Sequence, residues 1–323
     1  MSQVNSVTLS KPIAMEKRRV SKESRRRSLW AYLFISPFYL GFLVFGLFPI
    51  VFSFYLAFTR WTPMEAEWVG LANFANALID PLVHTAVFNS LWLMVVISIV
   101  QISIALLIAF VLNARGIKFR DVFRTALFLP YITSPVVLGL VWGVIFAYNG
   151  LANFVLEVLG MAPVDWLGYV SGSGFWIKPA VAIVTVWQFV GWNIILFSAG
   201  LKTIPSELYE AAMIDGATQW DILMKITLPL LKRVTFFISS ITIIGSIQIF
   251  DVPLMLLGGV AGAGSGTLGG AEGSGLTLAM MIYDTAFNYG QFGYAASISL
   301  LLFAILLVLT FLNKRVFFKE SEG

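Results

Sequence analysis

The chain has no cysteine and only one histidine, His84, among its 323 residues. Disulfide bonds, cysteine-based metal sites and histidine-rich metal sites are therefore excluded. The pattern GxxxxGK[ST] is also missing, so the chain has no P-loop with which to hold the phosphates of ATP. If ATP drives this protein, a separate polypeptide must hydrolyse it.

Charged residues are scarce as well, at 12% of the chain against about 25% in soluble domains. Hydrophobic residues make up 59%. Six apolar segments are each long enough to cross a bilayer as a helix, which takes about 20 residues. They lie at approximately 29–58, 87–112, 126–148, 180–200, 234–257 and 292–312. The sequence predicts an all-α, polytopic membrane protein, with a basic tail at 1–28, a transmembrane domain at 29–312 and a short tail at 313–323.

Lysine and arginine are distributed very unevenly between the two sides of these segments. Eight precede the first segment, four lie between the second and third, four lie in 201–233 and three follow the last, whereas the other side has only Arg60 and Lys178. Because cytoplasmic loops carry the excess of positive charge, both termini are predicted to be cytoplasmic. A secretory signal peptide also starts with basic residues, but its apolar region is only about 7–15 residues long.

A polar segment at 201–229, LKTIPSELYEAAMIDGATQWDILMKITLP, interrupts the apolar pattern on the cytoplasmic side. Ser206 is a predicted N-cap of a helix that runs to Asp215, and Gly216 supplies the left-handed residue that ends it. Thr218 and Asp221 have capping-box spacing for a second helix. Leu228-Pro229 is predicted to end that helix.

The first of these two helices is apolar nearly all round, although it is predicted to leave the membrane. Its apolar side chains are Leu208, Tyr209, Ala211, Ala212, Met213 and Ile214. Such a helix needs a partner surface. That surface is either another protein or the rest of this chain, and the pattern alone leaves both open.

The same segment resembles a known family. Glu210-Ala211-Ala212, Gly216 and Ile226-Thr227-Leu228-Pro229 match the EAA loop in permease subunits of binding-protein-dependent ABC importers. FRTALFLPYITSPVVLGLVW at 123–142 and YDTAFNYGQFGYAASIS at 283–299 look like the carbohydrate-uptake class, which includes the glycerol-phosphate, lactose and maltose permeases. The resemblance implies a type I ABC importer fold and a permease for a sugar or oligosaccharide in the cytoplasmic membrane of a bacterium.

The resemblance also implies partners and a coupling site. Expected partners are a homologous second permease, a dimer of ATPase subunits that holds ATP and Mg²⁺, and an external substrate-binding protein. In the family the EAA helix docks in a cleft of the ATPase. The corresponding coupling residues here are Glu210, Ala211, Ala212, Met213, Asp215 and Gly216.

A path for sugars is expected to contain amides, which both donate and accept hydrogen bonds, and aromatic rings, which stack on sugar faces. The last three apolar segments, which line the path in the family, supply Gln188, Trp192, Asn193, Gln248, Asp251, Asn288 and Tyr289. Each amide has the alternative role of an interhelical hydrogen bond. Asp251 has the alternative role of a cap or pair at a helix break made by Pro253. Asn89 and Gln101 are interpreted as packing residues.

The segments 59–86, 149–179 and 258–291 are predicted to face outward. They are a candidate docking surface for a binding protein, and their tryptophans alternatively form an aromatic belt at the membrane interface. Gly264–Gly269 is a formal GxGxxG, but a dinucleotide site needs a preceding strand, whereas a membrane helix precedes this copy. The glycine-rich stretch 258–275 is therefore interpreted as a flexible linker.

Two other functions are compatible with a polytopic chain. A stand-alone secondary carrier would need several ionisable groups at membrane depth, and only Asp251 qualifies. A non-transporting membrane scaffold would need none. The substrate stays open among a disaccharide, an acidic oligosaccharide and a non-sugar solute such as glycerol phosphate, although the outward segments are not basic.

Overall fold

The computed structural model describes residues 22–62, 65–114, 117–258 and 268–318. Most of the predicted basic tail and residues 264–267 of the GxGxxG pattern lie outside these ranges. The chain divides into two compact units, of which one ends at Phe52 and the other begins at Ser53. The two units are described separately.

The first unit consists of apolar helix. Helix α1 (Lys22–Phe42) continues through a π-helical turn at Leu43–Leu47 into α2 (Phe48–Ala57), whose last residues belong to the second unit. Residues Trp30–Ala57 are long and apolar enough to span a membrane, and only 6% of their most apolar window is buried. Surface of this kind is stable only against lipid or another protein.

The second unit begins with a hairpin of two short strands, β1 (Thr59–Trp61) and β2 (Ala66–Trp68). Its first helices are α3 (Ala72–Ile79), α4 (Pro81–Asn113), α5 (Arg120–Ile132), α6 (Pro135–Ile145), α7 (Leu151–Val158) and α8 (Ile177–Leu201). The later ones are α9 (Ser206–Ile214), α10 (Gln219–Asp221), α11 (Leu228–Leu230), α12 (Lys232–Ile247), α13 (Asp251–Gly258), α14 (Leu278–Tyr283) and α15 (Phe292–Phe318). π-helical turns at Ile222–Thr227 and Asp284–Asn288 extend α10 and α14.

The third predicted span, 126–148, is not one straight helix. Helices α5 and α6 meet at an angle of 96°, so the described residues contain five candidate spans, or six when this bent pair is counted as one. At the bend Thr133 and Ser134 have extended backbone, with ψ of 141° and 128°. Pro135 explains this, because its ring disfavours helical backbone at the residue before it.

The fifth predicted span also contains a break, but Pro253 does not make it. Helix α12 ends at Ile247 and α13 begins at Asp251, so the interruption is at Gln248–Phe250. Pro253 is the third residue of α13, in the first turn, where the missing N–H breaks no intrahelical hydrogen bond. The proposed break is therefore real, but it precedes both Asp251 and the proline.

Helix α8 lies at the centre of the second unit, between α4, α5 and α12. Gly191 allows α5 to approach closely, because a Cβ at that position would collide with the Leu127 carbonyl oxygen and lie 2.8 Å from Cα of Phe128. On another face, Asn193 donates to the Thr242 hydroxyl of α12 at 3.1 Å. Small residues and polar links of this kind hold membrane helices together where no water drives burial.

Residues 268–278, part of which was predicted to be a flexible linker, are fixed against α4. The Asn89 amide donates to the carbonyl oxygens of Gly273 and Leu276 at 2.9 and 3.0 Å, and its oxygen accepts from Lys178 Nζ at 3.2 Å. The Ser90 hydroxyl accepts from the Leu278 N–H at 2.9 Å. The linker interpretation is wrong for these residues, because buried hydrogen bonds define their position.

The last helix is longer than its predicted span, since α15 continues from residue 312 to Phe318. Asn313 is buried there and links α15 to α12, with its amide donating to Ser240 Oγ at 2.8 Å and its oxygen accepting from Ser239 Oγ at 3.1 Å. The start of the predicted tail therefore belongs to the packed helix.

Candidate functional site

The two helix breaks open on one cavity of about 270 Å³. Its walls come from α4, α5, α8 and α12, and from the segment Gln248–Val252 that joins α12 to α13. Gln188 lies near the middle of α8, so the cavity is far from both ends of that helix. Five of the seven predicted path residues line it: Gln188, Trp192, Asn193, Gln248 and Asp251.

One wall of the cavity is aromatic. Tyr131 of α5 and Trp192 of α8 are stacked, with ring centroids 5.1 Å apart and an interplanar angle of 13°. Phe189 meets Tyr131 edge-on at 5.7 Å. Tyr131 is held two residues before the bend between α5 and α6, so the kink at Pro135 brings an aromatic face into the cavity.

The other walls are largely apolar, through residues such as Ile241 and Ile249, but they also carry several polar and almost no charged groups. They carry the amides and hydroxyls of Gln101, Thr185, Gln188, Asn193, Thr242 and Ser246. Two of the hydroxyl protons are already used within the protein, because Thr185 donates to the Val181 carbonyl and Ser246 to the Thr242 carbonyl, both at 2.7 Å. These two oxygens therefore offer acceptor lone pairs to anything in the cavity.

Gln188 and Asp251 have unused acceptors. Gln188 is only 1% exposed, yet no atom of the described residues donates to its Oε1. Asp251 is exposed at the start of α13, and no hydrogen bond or ion pair within the described residues uses its carboxylate. A buried acceptor without a donor is costly, at about 1–3 kcal/mol, so Gln188 carries this cost within the protein, whereas the exposed Asp251 carboxylate is open to a ligand.

The structure separates the other two predicted path residues from this cavity. Asn288 donates to the Asp284 carboxylate at 2.7 Å. Tyr289 is exposed and lines a different depression of about 740 Å³, together with Arg60 and Asp80. In that depression the Asp80 carboxylate accepts from the Tyr294 hydroxyl at 2.7 Å, which connects the start of α4 to the start of α15.

Several residues that line the cavity were not predicted from the sequence. Gln101 was interpreted as a packing residue, and Tyr131, Thr185 and Thr242 were not singled out. Gln188 and Trp192 are four residues apart and share one face of α8, and Thr185 lies on the same face one turn earlier, so helical spacing would have found it. The contribution of Tyr131 depends on the bend after it, which no periodicity reveals.

The segment 201–231 forms two helices with an elbow between them, as predicted, but with different ends. Helix α9 starts at Ser206 with Pro205 at the N-cap, so Ser206 is not the cap. It ends at Ile214, and Gly216 has φ of +79°, the left-handed conformation that favours glycine. The second helix runs through Pro229 to Leu230 before the chain turns into α12.

The start of the second helix is held by a complete capping box. Thr218 Oγ1 accepts from the Asp221 N–H, and the Asp221 carboxylate accepts from the Thr218 N–H, both at 3.2 Å. Hydrogen bonds from Lys225 and Thr218 lower the pKa of Asp221 to about 2. Because the pKa is lowered on folding, this stabilisation is complete above about pH 4 and is lost only as pH falls towards 2.

Helix α9 has a packed face and apolar side chains that stay exposed. Ala212 is buried, and the Tyr209 hydroxyl lies 3.4 Å from Thr227 Oγ1 of the following helix. Leu208 and Met213 flank this packed face and Ile214 lies opposite it, and the three side chains are 43%, 46% and 86% exposed. The helix therefore folds back on its own chain through Ala212 and Tyr209, and it keeps an apolar surface for another molecule as well.

In one of the segments predicted to face outward, a carboxylate organises a tight loop. The Asp165 side chain accepts from the N–H groups of Tyr169, Val170 and Ser171 and from the Ser171 hydroxyl, at 2.6 to 3.1 Å. Burial alone would raise the pKa of Asp165, but these hydrogen bonds together outweigh it and lower the pKa below its usual value. The carboxylate that accepts these hydrogen bonds is therefore ionised at neutral pH.

Comparison with known proteins identifies the family. Residues 101–319 match the family described as "Binding-protein-dependent transport system inner membrane component", which covers most of the chain, including the cavity and the EAA segment. The chain belongs to this family of transport permeases. The resemblance found in the EAA segment is confirmed.

Relatives of this permease match over nearly their whole length. The arabinooligosaccharides transport system permease protein AraP of Bacillus subtilis (strain 168) is 37% identical over 287 residues, which are 88% of this chain and 87% of AraP. The lactose transport system permease protein LacF of Rhizobium radiobacter is 32% identical, over 87% of this chain and 92% of LacF. The trehalose/maltose transport system permease protein MalF of Thermococcus litoralis is 30% identical, over 94% of this chain and 98% of MalF.

A solved structure shares the fold of this permease. A chain of a bacterial ABC transporter involved in the import of the acidic polysaccharide alginate superposes with a TM-score of 0.78 at 20% identity, covering 93% of this chain and 99% of that one. This likeness establishes the fold alone. The predicted class, a helical polytopic protein with the fold of an ABC importer permease, is confirmed.

Proposed function

We propose that this permease is one of two transmembrane subunits of an ATP-driven importer for a sugar or oligosaccharide. The observation that carries the proposal is the cavity. It joins a stacked Tyr131–Trp192 pair to several amides and hydroxyls and to the unpartnered Asp251 carboxylate. Aromatic faces and convergent polar groups are what a sugar needs. The names of the relatives, which transport arabinooligosaccharides, lactose and trehalose or maltose, support the same substrate class.

The proposed complex contains a homologous second permease, two ATPase subunits and an external binding protein. The exposed face of α9 (Leu208, Met213 and Ile214) is the proposed contact with an ATPase cleft, and ATP and Mg²⁺ are bound there by the ATPase, not by this chain. A related complex was solved with an alginate pentasaccharide-bound periplasmic protein, which supports a binding-protein partner here.

The proposed location is the cytoplasmic membrane of a bacterium, with both termini and α9 in the cytoplasm. The distribution of lysine and arginine supports this orientation, since only Arg60 and Lys178 lie on the other side. In the proposed cycle, ATP closes the ATPase dimer and α9 moves with its cleft. The permease pair then opens outward and receives the sugar from the binding protein.

Reconstitution tests this function. The permease pair, the ATPase and the binding protein are incorporated into proteoliposomes with ATP inside, and uptake is measured over a panel of disaccharides and oligosaccharides. ATP-dependent uptake with ATPase activity stimulated by the loaded binding protein is expected. Uptake by the purified single chain, driven by an ion gradient without ATPase, would instead establish a secondary carrier.

Two substitutions in the coupling segment test the role of α9 in the same proteoliposomes. Gly216→Pro removes the left-handed elbow, because proline cannot adopt a positive φ. Glu210→Lys reverses a charge on α9. Both are expected to leave substrate binding intact and to reduce the number of sugars transported per ATP by about tenfold or more. Unchanged coupling in both variants would contradict the proposed role of α9 in coupling ATP hydrolysis to transport.

A further inference from the structure

The electrostatic character of the cavity bears on its substrate class. Asp251 is the one formal charge among its described lining residues, and no lysine, arginine or histidine lines it. The nearest cations on α8 and α5 are Lys178, which donates to Asn89, and Arg124, which pairs with Asp121 at 3.1 Å, and neither lines the cavity. Lys178 is ten residues before Gln188, about 15 Å along α8.

The unpartnered polar groups of the cavity include the Asp251 carboxylate, which accepts nothing from the described residues and is exposed. The amides of Gln101, Gln188 and Gln248 line the same cavity. The hydroxyls of Thr185 and Ser246 have given their protons to backbone carbonyls. A sugar hydroxyl can donate to these oxygens and also accept from the neighbouring amides, whereas a carboxylate or phosphate can only accept.

An anionic substrate would therefore meet a penalty in this cavity. It would bring a second negative charge close to Asp251, with no cation among the described lining residues to offset it. Like charges brought together repel, and such repulsion suppresses the binding of the wrong ligand. The start of α13 does not offset this, because the Asp251 carboxylate already occupies the position that its helix dipole favours for an anion.

On the basis of the proposed function, we infer that this permease passes neutral saccharides and rejects acidic ones, and that Asp251 is the residue that sets this selectivity. The inference excludes two of the substrate classes that the sequence left open, acidic oligosaccharides and glycerol phosphate. It also separates this chain from the alginate importer that shares its fold.

The test compares each transported neutral disaccharide with its matched uronate, in which CH₂OH is oxidised to a carboxylate. Both are measured in the complete complex with the same binding protein, so any change between variants comes from the permease. The wild type is expected to transport the neutral form at least about tenfold faster, which corresponds to about 1.4 kcal/mol. Asp251→Asn keeps the shape of the side chain and is expected to lower that ratio at least about threefold, mainly by faster uronate uptake.

Asp284→Asn is the matched control, because Asp284 is also a carboxylate but lies outside the cavity and accepts from Asn288. It is expected to leave the ratio unchanged. Equal transport of both forms by the wild type, or the same ratio in Asp251→Asn as in the wild type, would overturn the inference while leaving the importer function intact. A complex that transports no saccharide in either form would overturn the proposed function and the inference together.

Discussion

At the scale of single residues, the central helix depends on one glycine. A Cβ on Gly191 would collide with the Leu127 carbonyl oxygen, and backbone atoms cannot move aside as the end of a flexible side chain can. Gly191→Ala is therefore expected to push α5 away from α8 and to cost about 1–3 kcal/mol, the usual range for overpacking. The measurement is the midpoint of thermal unfolding in detergent.

Gly143→Ala is the control for this substitution. Gly143 is also inside a helix, but no atom lies within 4 Å of the position its Cβ would take. Alanine is the better helix former by about 1 kcal/mol, so this variant is expected to be at least as stable as the wild type. Equal stability of the two variants would contradict the close approach of α5 and α8.

The glycine of the elbow is required for a different reason. Gly216 has open space around it and φ of +79°, so only backbone conformation restricts this position. Gly216→Asn is expected to preserve coupling better than Gly216→Val, because asparagine enters the left-handed region more easily than a β-branched residue. The readout is the number of sugars transported per ATP hydrolysed. The same loss in both variants would mean that side-chain bulk, rather than φ, determines the function of the elbow.

Whether the role of a residue could be predicted from the sequence depends on how far along the chain its interactions reach. The left-handed Gly216 and the Thr218–Asp221 capping box are local, and spacing within four residues was enough to predict both. Gly191 must be glycine because α5 approaches it closely. The contacting residues of α5 are more than 60 positions earlier, so no local pattern predicts this requirement. The lining of the cavity could be predicted only in part. Helical periodicity places Gln188 and Trp192 on one face of α8, but it cannot show that Tyr131 stacks on that face.

At the scale of elements, most helices could be predicted and their interruptions could not. A hydropathy profile shows that residues 126–148 are apolar, but it is the same whether the helix is straight or bent by 96° at Thr133 and Ser134. Pro135 was visible in the sequence, but prolines also occur inside membrane helices, as Pro130 does within α5. Pro135 permits the bend, and the contact of α6 with α13 that accompanies the bend is not local.

The attachment of residues 268–278 is a further property of elements, and it rests on Asn89 of α4. Asn89→Ala would leave the carbonyls of Gly273 and Leu276 without their donor and Lys178 Nζ without its acceptor. The expected cost is about 2–4 kcal/mol, because buried polar groups are left unsatisfied. Hydrogen exchange read by mass spectrometry should show faster exchange throughout 268–278.

Asn76→Ala is the matched control for this attachment. Asn76 is exposed on α3, and its side chain makes no hydrogen bond within the described residues, so exchange in 268–278 should not change. Unaltered exchange in Asn89→Ala as well would mean that the contacts of Ser90 and Thr277 hold the segment without Asn89.

At the scale of the whole molecule, the absence of cysteine makes the orientation directly measurable. Each introduced cysteine is the only thiol of the chain, so a membrane-impermeant maleimide reports one position at a time. Phe175 and Ile214 are 70% and 86% exposed and are predicted to lie on opposite sides of the membrane. Phe175→Cys should react in right-side-out vesicles, and Ile214→Cys only in inside-out vesicles. The reverse result would invert the proposed topology.

The same two thiols also test whether α9 is a contact with the ATPase. Assembly with the ATPase should shield Ile214→Cys by at least about tenfold in labelling rate, because the apolar face of α9 would leave water. Phe175→Cys should keep its reactivity, since the proposed topology places the ATPase on the other side of the membrane. Ala212→Cys completes the comparison: its position is buried by the chain itself, so its labelling should be slow with or without the ATPase. If Ile214→Cys stayed fully reactive in an assembled, ATP-hydrolysing complex, the exposed face of α9 would need a different partner.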